Sequence, residues 1–348
     1  MEYSIRRWVL IIACLMVLTM AVAVISIATG PANLSPDEVT RIILSRVPFI
    51  QDYIAKTWTA GDEAIVIQVR LPRVILGLLV GASLALAGVS TQGIFKNPMA
   101  DPYILGVSSG AAFGVAISLV IGITIGTMTI NVMLGAFAGA LIASFLVFNI
   151  ARTHYRVPVE TLLLSGIAVS AFFSAITSFL MYISGNSLSK IVFWVMGGLQ
   201  SGGWDRILIL IPFFVAGSLV ILAFARDLNL IQLGDESAAH LGTDVHRVKT
   251  ILLVVSSLLA AAAVSVSGII GFVGLIIPHM MRLIVGPDHR ILIPSSILVG
   301  AMFLTVADTF SRMIVQPTEM PVGIVTAVIG APFFIYLLLR QKKSLSQV

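Results

Sequence analysis

The most constraining feature of this 348-residue chain is a stretch without any charged side chain, which runs from Pro102 to Ala151. A transmembrane helix needs about 20 apolar residues, so this stretch can hold two such helices joined by a turn near Gly126. Charged residues make up 11% of the chain, whereas roughly 25% is usual in soluble domains. The sequence therefore predicts an all-α membrane protein embedded in lipid. It excludes a disulfide scaffold, a disordered chain and a nucleic-acid-binding domain.

Apolar runs of spanning length occur along the whole chain, so we predict a single transmembrane domain over residues 1–348 with about ten helices. The boundaries are set by charged and turn-forming residues. The predicted spans are Trp8–Ala28, Leu71–Thr91, Ile104–Ile123, Val132–Ile150, Leu162–Ile183, Ile207–Phe224, Thr250–Val266, Ile269–Val285, Leu292–Val315 and Val322–Leu339.

Basic residues predict the orientation, because they collect on the cytoplasmic side of a membrane. An even number of spans places both termini on one side. That side receives thirteen basic residues: Arg6, Arg7, Lys96, Arg152, Arg156, Arg226, Arg247, Lys249, Arg282, Arg290, Arg340, Lys342 and Lys343. The other side receives eight: Arg41, Arg46, Lys56, Arg70, Arg73, Lys190, Arg206 and Arg312. We therefore predict that both termini are cytoplasmic.

Two connections are too long to be simple turns. Residues 30–65 are predicted to form an outer loop with an amphipathic helix that starts near Ser35-Pro36. Residues 226–249 are predicted to form a polar segment on the cytoplasmic side. Within it, Gly234 to Gly242 place two acidic residues first and a glycine last, which predicts a short capped helix.

Reactive chemistry is scarce. The sequence has no Gly-Lys pair and therefore no phosphate-binding P-loop, and no His-Glu pair for a zinc-protease motif. Gly106–Gly110 matches G-x-S-x-G, but it opens an apolar helix, where small residues pack helices. We predict no enzymatic activity, no metal site and no cofactor bound by this chain. An ion- or proton-coupled secondary transporter stays an alternative, but such carriers usually place acidic groups within the membrane, and the nearest carboxylates, Glu160, Asp308 and Glu319, lie near predicted span ends.

Several short motifs occur together in a fixed order from about residue 65 to residue 340. They are R-L-P-R at 70–73, N-P-M-A-D-P at 97–102, W-V-M-G-G-L at 194–199, L-G-D-E at 233–236, G-F-V-G-L-I-I-P-H at 271–279, A-D at 307–308 and E-M-P-V-G at 319–323. In this order the chain resembles the FecCD-type permeases, which are membrane subunits of ABC importers for iron–siderophore complexes, haem and cobalamin.

The resemblance implies a permease that forms a homodimer around a central translocation pathway in the inner membrane of a prokaryote. Its partners would be a second copy, two ATP-binding cassette ATPases that hold ATP and Mg, and an extracytoplasmic substrate-binding protein. An iron–siderophore is the substrate that we expect, with haem or cobalamin next.

The resemblance also implies functional residues. The contacts with the ATPase would be Asp235, Glu236, Ala239, His240, Leu241 and Gly242. A solvated interfacial loop is the alternative for this segment.

On the outer side, the resemblance assigns docking of the binding protein to Arg70, Arg73 and Arg312. The alternatives are lipid anchoring by the first two arginines and, for Arg312, a local pair with Asp308.

Two further elements are predicted on the cytoplasmic side. The turn formed by Asn97, Pro98, Asp101 and Pro102 is expected to be structural, with Asp101 capping the next helix. By resemblance, Val159 and Glu160 match a cytoplasmic gate, but Glu160 equally suits the first turn of a helix, where an acidic side chain is favoured.

Overall fold

The computed structural model describes residues 2–32, 34–46, 48–49, 51–122, 127–152, 158–200, 202–315 and 318–345, and the regular structure in these ranges is helical. The predicted turn at Gly126 lies outside them. The helices are α1 (Glu2–Ala28), α2 (Pro36–Leu44), α3 (Ala60–Ala64), α4 (Leu71–Phe95), α5 (Val107–Ile121), α6 (Met128–Ala151), α7 (Val159–Ile183), α8 (Leu188–Val195), α9 (Trp204–Ala223), α10 (Ala225–Gln232), α11 (Asp235–His240), α12 (Val245–Ser267), α13 (Val273–Val285), α14 (His289–Met313) and α15 (Val322–Leu345).

The long apolar helices agree with the predicted spans. Among the described residues, seven helices are long and apolar enough to cross a membrane, and three shorter apolar helices, Val107–Ile121, Val273–Val285 and Val322–Leu337, match the remaining predicted spans. The prediction of an all-α membrane fold is therefore confirmed. α4 lies at the centre of the bundle and packs against α9, α12, α13 and α14, whereas most of α1 is exposed.

The second span begins earlier than the sequence indicated. The helix starts at Ala60, behind a capping box between Thr59 and Asp62, and continues through a π-helical segment, Ile65–Arg70, into α4. Pro72 lacks an N–H and cannot donate the hydrogen bond that an α-helix forms to the carbonyl four residues earlier. The wider π turn accommodates it, and the carbonyl of Ile67 accepts a hydrogen bond from Trp204 Nε1 at 3.2 Å. Residues 60–65 are therefore helical and not part of a loop.

The eighth span begins later than predicted, at Val273 instead of Ile269. Residues 268–272 are irregular, and Gly268 and Phe272 both have φ values of +70°. Irregular backbone at membrane depth persists where protein buries it. Here the N–H of Gly198 donates to the carbonyl of Ser267 at 2.7 Å, just before the break.

Small residues allow α5 and α6 to approach closely. A Cβ atom at Gly114 would lie 1.9 Å from the carbonyl oxygen of Gly135, and one at Gly110 would lie 2.3 Å from that of Gly139. These G-x-x-x-G pairs therefore serve packing within the chain, as expected for helix contacts in lipid.

The amphipathic helix predicted after residue 30 is α2. Ser35 and Glu38 form a reciprocal capping box at its start, and Val39 and Ile42 are buried on one face. These two side chains pack with residues of α1 and of the segment that leads into α4. α2 therefore packs over the end of the bundle at which α1 ends.

Candidate functional site

The short helix α11 has the form that the sequence predicted. Asp235 and Glu236 occupy its first turn, where the helix dipole favours acidic side chains. Its last turn closes with two hydrogen bonds, from the N–H of Gly242 to Ala239 and from the N–H of Thr243 to Ala238, both 3.0 Å long. Gly242 has a φ of +91°, a left-handed conformation that glycine adopts at little cost.

Asp235 fixes α11 to the rest of the bundle. Its carboxylate accepts hydrogen bonds from Lys96 Nζ at 3.0 Å and Lys249 Nζ at 2.5 Å. Burial alone would raise the pKa of Asp235, but the hydrogen bonds from Lys249 and Lys96 outweigh it and lower the pKa. The short helix is therefore held by charge-assisted bonds to two different elements, the end of α4 and the start of α12.

The opposite face of α11 is open. Ala238 is buried against the bundle, while the other side carries exposed residues: Glu236, Ala239, His240, Leu241 and Gly242. Leu241 has 57% of its surface exposed. An exposed leucine at the end of a short capped helix, beside acidic and small residues, is a surface suited to contact with a partner.

The structure brings α11 close to the predicted gate. A cavity of about 580 Å³ is lined by Asp235, Glu236 and Ala239 of α11 and by Val159 at the start of α7. Glu160 lies in the first turn of α7 and is exposed. This position agrees with the alternative that Glu160 is an acidic side chain favoured in the first turn of a helix. The gating role of Val159 and Glu160 stays a prediction.

The turn at residues 97–102 is held by its own hydrogen bonds. The side-chain oxygen of Asn97 accepts from the N–H of Met99 at 2.9 Å, and Asp101 Oδ1 accepts from the N–H of Tyr103 at 2.8 Å. Pro102 is buried at the first position of a 3₁₀ turn, Pro102–Leu105, and Pro98 is half-buried. This geometry agrees with the structural role predicted for the turn and with capping by Asp101.

At the other end of the bundle, Arg70, Arg73 and Arg312 line one small cavity of about 70 Å³ together with Glu319. Arg73 Nε and Nη2 donate to the two carboxylate oxygens of Asp308 at 3.0 and 2.9 Å. Arg73 Nη1 donates to Glu319 at 2.8 Å. Only 4% of Arg73 is exposed, so the guanidinium is a buried hub that joins α4 to α14 through Asp308 and to the segment before α15 through Glu319.

The other two arginines cap the C-terminal end of α1. Arg70 donates to the carbonyl oxygens of Ile27 and Ala28, both at 3.2 Å. Arg312 donates to the carbonyl of Thr29 at 3.2 Å. Cations at this end of a helix satisfy its last carbonyls and its dipole.

Arg312 also forms the local pair that the sequence left open, with Arg312 Nε 3.2 Å from Asp308 Oδ2. All three arginines are almost fully buried. Their docking to a partner stays a prediction, and simple snorkelling to the lipid interface does not describe their observed contacts.

Sequence reasoning missed the partners of Arg73 and Asp235. Asp308 was considered as a carboxylate near a span end and as a partner of Arg312, but not as a partner of Arg73, from which 235 residues separate it. A charged residue inside an apolar segment signals that a partner exists, but sequence alone does not identify that partner. Among the described residues, no cluster of His, Cys, Asp and Glu could hold a metal ion.

Comparisons with known proteins extend these observations. Residues 17–340 match the FecCD transport family. The cobalamin import system permease protein BtuC of Halobacterium salinarum is 51% identical over 276 residues, which are 79% of this chain and 73% of that protein. The hemin transport system permease protein HmuU of Yersinia pestis is 42% identical over 283 residues, covering 80% of this chain and 84% of the relative.

A more distant relative and a solved structure cover nearly the whole chain. The iron(3+)-hydroxamate import system permease protein FhuG of Bacillus subtilis is 34% identical and covers 98% of this chain and 99% of its own. A structure described as an inward-facing conformation of a transporter of the metal-chelate ABC type aligns with a TM-score of 0.78 at 33% identity, over 95% of this chain and 99% of that one. The resemblance noted in the sequence motifs is confirmed, and the chain belongs to the FecCD transport family.

Proposed function

We propose that this chain is the transmembrane permease subunit of an ATP-driven importer for a metal chelate. The observation that carries the proposal is the capped helix α11, which is fixed through Asp235 and presents Leu241 and Glu236 outward. A rigid surface helix of this kind can transmit movement from a partner to the bundle, and Asp235 connects it directly to α4 and α12. The relatives named as import system permeases support this role.

The proposal includes partners that the chain needs for transport. Two ATPase subunits would bind α11 of two copies of the chain and supply ATP and Mg. A substrate-binding protein would dock at the end that carries Arg70, Arg73 and Arg312. This orientation places both termini in the cytoplasm and the arginine cavity outside an inner membrane, in agreement with the distribution of basic residues.

Among metal chelates, the relatives favour cobalamin over the iron–siderophore that the sequence motifs suggested. The 51% identity to the cobalamin permease exceeds the 42% to the hemin permease and the 34% to the iron–hydroxamate permease. We therefore rank cobalamin first, haem second and iron–siderophore complexes third.

The alternative of a proton-coupled carrier receives no support from the carboxylates. A proton-carrying side chain must change its protonation within the membrane. Asp308 is buried between Arg73 and Arg312, and its two carboxylate oxygens lie 2.9 and 3.2 Å from their guanidinium nitrogens, so both oxygens are already engaged within the chain. Glu319 is also paired with Arg73.

The test is ATP-dependent uptake by vesicles that contain the chain together with a cognate ATPase subunit and a cognate binding protein. Glu236→Arg combined with Leu241→Arg should remove uptake and release the ATPase during co-purification, because two cations replace an acidic and an apolar contact. Thr40→Arg, an exposed change on the amphipathic helix α2 at the other end of the bundle, is the control for ATPase binding and should retain it.

Uptake and ATPase binding that survive in the double variant would exclude α11 as the contact. Labelled cobalamin, an iron–hydroxamate and haem, each offered with the binding protein, separate the three substrates. Uptake that proceeds with an ATPase unable to hydrolyse ATP would contradict the ATP-driven mechanism.

A further inference from the structure

A second pocket lies at the same end of the bundle as the arginine cavity. Its volume is about 320 Å³, and its lining includes the polar and aromatic residues Lys190, Trp194, Gln200, Arg206, Ser265 and Ser267. Gln200 Nε2 donates to the carbonyl of Glu319 at 3.1 Å, which places the pocket beside the connection between α14 and α15. The pocket is separate from the arginine cavity, with which it shares no lining residue.

The pocket carries two positive charges and no negative one. Its lining contains Lys190 and Arg206 but neither Asp nor Glu. Within the described part of the chain, neither cation has a carboxylate within ion-pair distance. Arg206 is half-buried, and a charge without an ion pair is costly in such a setting, whereas Lys190 is exposed at the rim.

The hydrogen-bonding capacity of both cations is incompletely used. Arg206 Nη1 donates to the carbonyl of Val266 at 2.6 Å, but its Nε is buried and has no partner in the described residues. Lys190 Nζ has a sulfur contact, 3.9 Å from Met128 Sδ. A phosphate or carboxylate group in this pocket would neutralise both charges and accept the remaining donors.

The surroundings favour a membrane lipid as the source of that anion. Apolar side chains are exposed at the rim: Phe193 is 61% exposed and Met128 52%. Trp194 lines the pocket, and Trp204 opens the neighbouring helix. Tryptophan beside lysine or arginine is typical of the membrane–water interface, which is the level of the lipid headgroups.

The size of the pocket points the same way. Sites for drug-sized ligands span about 300–1,000 Å³, so this pocket is at the lower limit. It has room for one headgroup but not for a whole corrinoid or haem. We propose that Lys190 and Arg206 form a binding site for the phosphodiester headgroup of an anionic membrane lipid at the outer interface.

The proposal is tested by native mass spectrometry of the delipidated full chain with added phosphatidylglycerol. The wild type should retain phosphatidylglycerol in preference to phosphatidylethanolamine. Lys190→Glu combined with Arg206→Gln should weaken retention by roughly tenfold or more, since charge-assisted hydrogen bonds are lost. Arg41→Gln combined with Lys56→Gln removes two exposed cations and should leave retention unchanged.

Lys190→Glu alone keeps the test decisive if the Arg206 variant does not fold, because Lys190 is exposed and has only the sulfur contact among the described residues. It should also lower retention of phosphatidylglycerol. Soluble glycerophosphoglycerol distinguishes a lipid from a free anion. Equal retention by all variants would overturn the proposal, as would displacement of the lipid by equimolar glycerophosphoglycerol or by an anionic iron chelate.

Discussion

Replacing Arg73 with lysine should destabilise the isolated chain, because the guanidinium is a structural hub. It donates through three nitrogens to Asp308 and Glu319, at 2.8 to 3.0 Å. Lysine keeps the positive charge but presents a single ammonium group, which cannot match the planar fork at Asp308 and reach Glu319 as well.

The structure sets the expected magnitude. Hydrogen bonds to charged groups each contribute about 1.5–3 kcal/mol, and removing one partner of a buried ion pair costs about 3–5 kcal/mol. Because lysine retains the charge, we expect a loss of about 2–4 kcal/mol for Arg73→Lys. Asp308→Ala should cost at least as much, since both Arg73 and Arg312 then lose a buried carboxylate.

The assay is thermal unfolding of the purified chain in detergent, without any binding protein. Arg46→Lys is the matched control, because Arg46 pairs with Glu63 at the surface and its side chain is 61% exposed. Such pairs contribute about 0–1 kcal/mol, so the control should unfold close to the wild type. Affinity for the binding protein is measured separately, at low and high salt.

The two roles considered for Arg73 give different results. Unfolding of Arg73→Lys at the wild-type temperature, together with reduced affinity for the binding protein, would refute the structural role and leave docking alone. Reduced stability with unchanged affinity would assign the arginine to the fold only. Loss of both stability and affinity would mean that the Arg73 guanidinium stabilises the fold and also contributes to docking of the binding protein.

Two further predictions follow from the packing and the orientation. Gly88→Ala should destabilise the chain by about 1–3 kcal/mol, because the added Cβ atom would lie 1.9 Å from a carbonyl oxygen of α13. Gly271→Ala is the control: no atom lies within 4 Å of its added carbon, so this variant should unfold like the wild type. In a Cys14→Ala background, Ser35→Cys should react with an impermeant thiol reagent in intact cells and Ser237→Cys should not; the reverse pattern would invert the proposed orientation.

The spans were predictable from the sequence because a continuous apolar run has few other solutions in water or lipid. The predicted span boundaries were wrong where the backbone geometry departs from an α-helix within an apolar run. The second span was predicted to begin at Leu71, but the π turn before Pro72 lets one helix continue from Ala60. Ile269 and its neighbours are as apolar as the helix that follows, yet positive φ at Gly268 and Phe272 keeps them irregular. Hydropathy carries no information on either feature.

The short helix α11 was predictable for a different reason, because its caps are local. Acidic residues after Gly234 and the closing Gly242 act within one or two turns, so their order in the sequence is enough. Its attachment was not predictable. The carboxylate of Asp235 reaches Lys96 and Lys249, and these pairings depend on how the ends of three helices meet.

The arginine cavity shows the limit of motif reasoning for charged residues. An arginine near the end of a span can anchor to lipid, bind a partner or pair within its own chain, and its chemistry is the same in each case. The difference lies in where the carboxylate comes from. Asp308 is buried and serves Arg73 and Arg312 together, whereas 27% of the Glu319 side chain is exposed beside the same guanidinium. A carboxylate of a partner protein that approached Arg73 would therefore contact Glu319 first. Arg73 can bind such a partner only if its ion pair with Glu319 breaks.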